Sequence, residues 1–308
     1  MLQQIINILY RYPRSTLKRY ARFGGYLNYR RMLHGRNKMQ QMAINLPPVQ
    51  SYPDGLPIYF LTGRNYLYQT LFCIQSLVRV TTAQFKFILV DDGTFNHQIT
   101  EQIKRQLPGA AIIMQETIEQ NLNTILPAVK FQALRNKRKV YPHLKKLTDI
   151  HALPGNEWKL VMDSDMLFWH EPKALINWLK HPQFPIYMVD CVESYGYTTQ
   201  LMKSLCGTNL PTLINVGIIG LNSNSINWQD LESWTSELEA KEGPSYYLEQ
   251  ALTAMLIGQQ PALVLSGDDY IVNPDKNIIY GQQKILHHYV DLSKEFYFKH
   301  AWQQIAIP

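Results

Sequence analysis

Cysteine is scarce: Cys73, Cys191 and Cys206 are the only three, and no two stand at a paired spacing. That excludes a disulfide framework and a zinc knuckle, and it fits a reducing compartment. Long apolar runs are missing too. No stretch approaches the ~18 residues that a membrane span requires, and the opening MLQQIINILY is too short and too rich in amides for a signal-peptide core. The expected location is the cytoplasm, with the inner membrane face as a place to rest. Internal repeats and low-complexity tracts are absent. Acid is missing from one end: residues 1–53 carry nine Lys or Arg and no Asp or Glu. The formal charge of +6 therefore belongs to an N-terminal arm, and the remainder holds 21 basic against 24 acidic residues.

What is present is material for a large core. With 46% hydrophobic and 12% aromatic residues, the 308-residue chain can bury one big α/β domain or two small ones. The arm reads as helical pieces. In STLKRYARFGG, Leu17, Tyr20 and Ala21 share a face and Gly24 supplies a stop; YLNYRRMLHG repeats the basic and aromatic mixture. Such a helix suits an anionic membrane surface, where each Lys or Arg contributes about 1 kcal/mol. Its alternatives are a solvated helix folded back on its own domain, or a homodimer contact. Nucleic acid is not an expected partner, because no reading module accompanies the charge.

Past the Pro-rich linker INLPPVQSYPDGLP the pattern changes. IYFLTG is a short buried strand, NYLYQTLFCIQSLVRV an amphipathic helix, and FKFILVDDGTF a second strand; HQITEQIKRQL is helical and AAIIMQ a third strand. This βαβαβ rhythm predicts a mostly parallel central sheet flanked by helices, with ligands at the carboxyl ends of the strands. NKRKVYPHLKK reads as a solvated basic face, with a phosphate clamp as the alternative.

The segment KLVMDSDMLFW raises a physical question. Burying an unpaired carboxylate costs several kcal/mol, yet Asp163 and Asp165 close a strand of core residues. On an extended strand, residues i and i+2 share a side, so both can face one cation while Leu160, Val161 and Met162 anchor the strand. Hard carboxylate oxygens suit Mg²⁺ or Mn²⁺, ions that complete their shells with substrate phosphates and water. A D-x-D triplet is common by chance, and the plain structural alternative is a pair of caps in a strand-to-loop turn. The position at a strand end is what carries the signal.

These motifs resemble the GT-A-fold nucleotide-sugar glycosyltransferases, and within them the retaining, glycogenin-like group called family 8. VMDSDMLFW looks like that family's strand ending in Asp-x-Asp, which implies Asp163 and Asp165 as metal ligands. INVGIIGLN is similar to its Asn-Ser-Gly segment, placing Asn215 and Gly217 near the donor sugar or acceptor; a turn between strands is the other reading of those two residues. LEQAL resembles its Asp-Gln-Asp segment, with Glu249 for the first Asp and Gln250 retained at the reacting face. The family closes with His-x-x-Gly-x-x-Lys-Pro-Trp. Here His288 and Lys294 keep the six-residue spacing, implying third ligand and diphosphate contact, while Asp291, Glu295 and Phe296 replace Gly, Pro and Trp. His287 is a rival ligand and Lys299 a rival phosphate contact. In TGRNY and VDDG, Arg64, Tyr66 and Asp92 match the family's nucleotide-holding positions.

Charge composition thus sets off a basic arm over residues 1–53, and the resemblance implies a transferase domain over 54–308, its nucleotide half about 57–170 and its acceptor half about 171–308. It implies a UDP-sugar donor, Mn²⁺ (or Mg²⁺), and a glycan or lipid-linked sugar acceptor, as in polysaccharide biosynthesis. The product keeps the donor's anomeric configuration in that family; Glu249 acting as a general base would instead make inversion available. Two other classes compete. A nucleotidyltransferase needs a Gly-rich basic loop after the first strand, which FLTGRNY is not. A non-catalytic membrane adaptor on a degenerate transferase fold would have lost the metal set.

Overall fold

The computed structural model describes residues 12–306; the opening MLQQIINILY lies outside them. Ten strands run in chain order: β1 (Leu56–Thr62), β2 (Phe85–Asp91), β3 (Ala111–Ile113), β4 (Trp158–Met162), β5 (Met166–Phe168), β6 (Ile186–Val189), β7 (Ile214–Asn222), β8 (Leu263–Leu265), β9 (Tyr270–Val272) and β10 (Leu286–His288). Seven form the central sheet, in the order β3-β2-β1-β4-β7-β6-β8, and three form a second sheet, β5-β10-β9. In the central sheet every neighbouring pair is parallel except the two that β7 makes. The expected mostly parallel α/β architecture is what the chain adopts.

Strand alternation divides the core in two. Ile58, Phe60, Phe87, Leu89, Leu160 and Met162 point into one layer, and Tyr59, Ile88, Val90 and Val161 into the other. The first layer is covered by the helix Leu67–Arg79 and by the C-terminal segment around Tyr297–Ala301. The second is covered by helices that include Gln115–Ile125, Lys145–His151, Trp228–Glu242 and Leu248–Ile257.

The arm is helical, as its sequence suggests. Its helix Tyr12–Arg22 stops at Gly24 and Gly25, whose φ angles of 70° and 101° favour glycine. The following helix, Tyr26–Ala43, buries Met32, Gly35, Met39 and Ala43, residues three and four apart on one face. That face lies against the Tyr297–Ala301 turn so closely that a Cβ on Gly35 would stand 2.1 Å from the Phe298 carbonyl oxygen. The linker then runs along the sheet, with the N–H groups of Val49, Ser51 and Tyr52 donating to the carbonyls of Gln106, Pro108 and Phe85 at 2.8–2.9 Å. Leu17, Tyr26 and Leu27 stay exposed beside the arm's basic residues.

Two buried bases meet at β4, Lys159 on the strand itself and His151 at the end of the helix Lys145–His151. The Lys159 ammonium donates to the carbonyls of His151 and Leu153, closing the C-terminus of the helix Lys145–His151. The His151 ring is bonded to Ser223 Oγ at 2.9 Å, and burial, helped by the Lys159 charge, pushes its pKa down to about 3. The unfolded chain takes up this proton near pH 6.5, whereas the native chain waits until about pH 3. Between those values the unfolded state binds more protons, so stability falls as pH falls from 6.5 and levels off near 3. Urea denaturation across that range will show a shallower acid-side loss for His151→Asn than for the unsubstituted protein.

Candidate functional site

β4 ends at Met162, and the chain turns through Asp163–Asp165 out of the central sheet into β5 of the second one. Backbone bonds pin both ends of this turn: Asp163 N donates to Gly217 O, and Tyr289 N donates to Asp165 O, each at 2.8 Å. Between them Ser164 turns inward to Thr70 Oγ1 at 2.9 Å, which in turn meets Thr62 Oγ1 at 2.8 Å. β10 pairs antiparallel to β5 with His288 opposite Met166, and this register carries the imidazole to the two aspartates. His288 Nε2 lies 3.4 Å from Asp165 Oδ1 and 3.8 Å from Asp163 Oδ2. One ligand atom from each of the three residues falls within 4.8 Å of the others.

The tautomer of His288 follows from its neighbours. Asn215 Nδ2 donates to Asp190 Oδ2 at 3.1 Å, so Asn215 Oδ1 faces the other way, where it accepts from Gly217 N at 3.0 Å. The same oxygen lies 2.9 Å from His288 Nδ1. An amide oxygen only accepts, so Nδ1 carries a proton, and Nε2 is the ring nitrogen turned to the carboxylates. Such an outer bond fixes the orientation of a ligating imidazole. Two carboxylates and an imidazole whose Nε2 is turned toward them fit a divalent cation, and a nitrogen in such a set favours Mn²⁺ over Mg²⁺. Gly217 makes room: a Cβ there would meet His288 Cε1 at 2.5 Å and Met166 Cε at 2.4 Å.

Asn215 and Gly217 lie within β7, so the alternative reading of them as a turn does not hold, and an irregularity within that strand shapes the site. Ile186 and Tyr187 pair with Gly220 and Ile219, but Met188 and Val189 pair with Asn215 and Ile214. The skipped residues bulge away from β6, while β4 keeps its pairing up to Ile218 and adds the Asp163–Gly217 bond. Bulges re-aim side chains beside sites in this manner.

Opposite charge surrounds the aspartates. Lys146, itself buried, meets Asp163 Oδ1 at 2.8 Å, Glu249 Oε1 at 3.1 Å and the Val216 carbonyl at 3.2 Å. Burial works against the Lys146 charge, but the two carboxylates outweigh it and raise its pKa. Burial pushes the Glu249 carboxyl up to about 7, with the Lys146 ammonium opposing and the Asp163 charge adding to the rise. One ammonium shared by two carboxylates offsets only part of Glu249's desolvation. Lys294 stands 3.2 Å from Asp165 Oδ2, and that carboxylate raises the lysine's pKa. Burial alone would raise the Asp165 carboxyl, yet Lys294 and His288 hold it well below the usual carboxylate range.

The other residues sort as follows. Gln250 is buried, with Nε2 donating to Ile214 O at 2.6 Å and reaching Asp190 Oδ2 at 3.3 Å. It therefore belongs to the same network as Asn215. Arg64, Tyr66 and Asp92 gather where β1 and β2 end; Arg64 N donates to Thr94 Oγ1, whose hydroxyl donates to Asp92 Oδ1. Tyr66 and Lys294 are near enough to interact electrostatically. His287 points away: its Nδ1 accepts from Trp169 Nε1 at 2.8 Å and its Nε2 meets the Gln283 carbonyl at 2.6 Å. Lys299 is occupied by Asn28 and Glu295. The basic run is no solvated face. Arg138 grips buried Asp149 with two bonds of 2.8 and 2.6 Å and reaches Glu119 at 2.7 Å, Lys137 pairs with Glu239, and Lys146 enters the site. Lys146 and Asp190 are the two participants that sequence reasoning missed. Asp190 follows the core strand β6 as Asp163 follows β4, and that position was its available signal.

No family model matches the sequence, and no curated protein does. Solved structures do match. Mouse xyloside xylosyltransferase 1 in its apo form superposes with a TM-score of 0.50 at 12% identity, over 78% of this chain and 98% of its own. The fold is that of the GT-A glycosyltransferases. The galactosyltransferase LgtC, solved with donor and acceptor sugar analogues, gives a TM-score of 0.50 at 11% identity, over 81% of this chain and 95% of its own. The bifunctional glycosyltransferase WbbM gives 0.51 at 13%, over 84% of this chain but 52% of its own. In this fold the chain sets Asp163, Asp165, His288 and Lys294 together at the carboxyl end of β4. Asn215→Leu, nearly isosteric, removes the acceptor that fixes the His288 tautomer. Its Mn²⁺ affinity, read by electron paramagnetic resonance, should fall about 10–100-fold while the far-ultraviolet circular dichroism is unchanged.

Proposed function

We propose that the protein is a metal-dependent glycosyltransferase of the glycogenin-like group, moving a sugar from a UDP-sugar to a glycan or lipid-linked acceptor with retention of configuration. The observation that carries this reading is the convergence of Asp163, Asp165 and His288, with Lys294 at 3.2 Å from Asp165, on the ligand edge of a GT-A fold. Bound there, Mn²⁺ or Mg²⁺ would neutralise the diphosphate and stabilise charge on the departing UDP. The chain's own groups do the rest. The Lys294 ammonium, tethered lightly to Asp165 and 41% exposed, is free to turn to a phosphate oxygen as the bond to the anomeric carbon breaks. Arg64, Tyr66 and Asp92 form a rim for the base and ribose. Gln250 and Asn215, tied through Asp190, set the floor on which the sugar rests.

Retention is supported by the state of Glu249. It was the carboxylate available to act as base, and it is buried in an ion pair with Lys146 rather than open to an acceptor hydroxyl. The arm supports work at an anionic cytoplasmic membrane face, since exposed Leu17 and Leu27 stand among basic residues with no acid between them. No helix among the described residues is long and apolar enough to cross a membrane.

Calorimetric titration of UDP tests the assignment. Binding should require Mn²⁺ or Mg²⁺ and vanish in Asp163→Ala; absence of UDP binding under every metal condition would favour the adaptor reading. With a donor found from a UDP-sugar panel, proton NMR of the first product should show the donor's own anomeric configuration.

A further inference from the structure

Between His288 and Lys294 the chain makes a tight turn whose pivot is Asp291, at φ 46°. Residues with a Cβ are disfavoured there, and the Asp291 carboxylate is held by Arg22 at the end of the arm's helix Tyr12–Arg22. On the far side of Lys294 the arm reaches in again. Asn28 Nδ2 donates to Glu295 Oε1 at 2.7 Å and to Phe23 O at 2.8 Å, while Asn28 Oδ1 accepts from Lys299 Nζ at 2.8 Å. Lys299 Nζ also donates to Glu295 Oε1 at 3.0 Å, which closes a triangle. The inner side of the turn is fixed separately: Ser293 N donates to Asn273 Oδ1 at 3.1 Å, and Asn273 N donates to the His288 carbonyl at 3.0 Å.

The two functional residues differ in what holds them. His288 lies on a strand paired on both sides, so its place is set by the second sheet. Lys294 lies beyond that sheet, after the turn, and has no strand to hold it. An exposed ion pair such as Arg22–Asp291 is weak by itself and offsets only part of the penalty for a residue with a Cβ at positive φ. Losing it leaves the outer side of the turn held only by the contacts of Asn28, while Asn273 still holds the inner side. The Asn28–Glu295–Lys299 triangle is half-buried and firmer.

We propose that the N-terminal arm is a positioning element for the phosphate-binding lysine, with Arg22 and Asn28 clamping the chain on either side of Lys294. The clamp acts on the diphosphate contact and leaves the cation ligands and the nucleoside contacts alone. It rests on the nucleotide-sugar reading above and goes beyond it, since it gives the arm a task in the site whether or not a membrane is present.

The full-length chain tests this with Arg22→Ala, Asn28→Ala and the double variant. UDP and uridine are titrated calorimetrically at saturating Mn²⁺, and Mn²⁺ alone is followed by electron paramagnetic resonance. UDP affinity should fall about ten-fold in the double variant, with uridine and Mn²⁺ affinities held. Asp291→Gly placed on Arg22→Ala should restore UDP binding, because glycine takes the positive φ without the ion pair. Arg22 is exposed, so its variant folds even if Asn28→Ala does not. Unchanged UDP affinity in every variant, beside an unsubstituted protein that binds UDP in a Mn²⁺-dependent way, overturns the clamp alone. Equal losses of UDP, uridine and Mn²⁺ also overturn it, as general loosening. An unsubstituted protein with no Mn²⁺-dependent UDP binding overturns the functional reading and the clamp with it.

Discussion

Two carboxylates one residue apart at the end of a buried strand are an electrostatic problem, and much of the structure is arranged around solving it. Asp163 is answered by Lys146 from the helix Lys145–His151, and Asp165 by Lys294 from the far end of the chain, with His288 between them. Each cation comes from a different element, so three separate parts of the fold must meet at one point. The bulge in β7, the missing Cβ at Gly217 and the antiparallel register of β5 with β10 are the local devices that let them meet. Remove the second sheet and both aspartates keep their strand but lose the imidazole and one of the two lysines.

The electrostatic arrangement also separates groups by the stiffness of their surroundings. Lys146 is walled in by two carboxylates and a backbone carbonyl, and Arg138 is locked to Asp149 below it. Buried pairs of this kind contribute little net stability, yet breaking one leaves a charge stranded. Lys294, by contrast, keeps a solvent-facing side and a single carboxylate partner among the ion pairs described. The site thus pairs one cation that is fixed with one that can turn, which is what the proposed diphosphate contact asks for.

How much of this was legible in the sequence depends on how local the cause is. IYFLTG and FKFILVDDGTF read as strands from their own composition, and the structure has them as β1 and β2 between the two core layers. The strand-end aspartates and the six-residue spacing of His288 and Lys294 are local patterns, and the fold brings all four together. Lys146 was hidden in a run of basic residues that reads as solvated, because its partners Asp163 and Glu249 come from remote segments. The register shift between Tyr187 and Met188 has no one-strand signature, so the sequence leaves a turn open at Asn215, which is a strand residue aimed by a bulge. Choosing between His287 and His288 needed the strand register. Neighbours on a strand face opposite ways, and only the pairing with β5 says which one faces the aspartates.

The ordering of the ligands along the chain has a consequence for how the protein comes off the ribosome. β4, β5 and Lys146 emerge together, so Asp163 is compensated as soon as the first half folds. Asp165 must wait for β10 and the turn that follows it, which pairs with β5 only after more than half of the remaining chain has been made. Until then the nascent protein carries Asp165 without Lys294 or His288 beside it and the unpaired edge of β5, the kind of exposed edge that invites association. Docking of β10 is therefore a late, long-range closure that gives β5 its partner strand and brings His288 to Asp163 and Asp165 in one step.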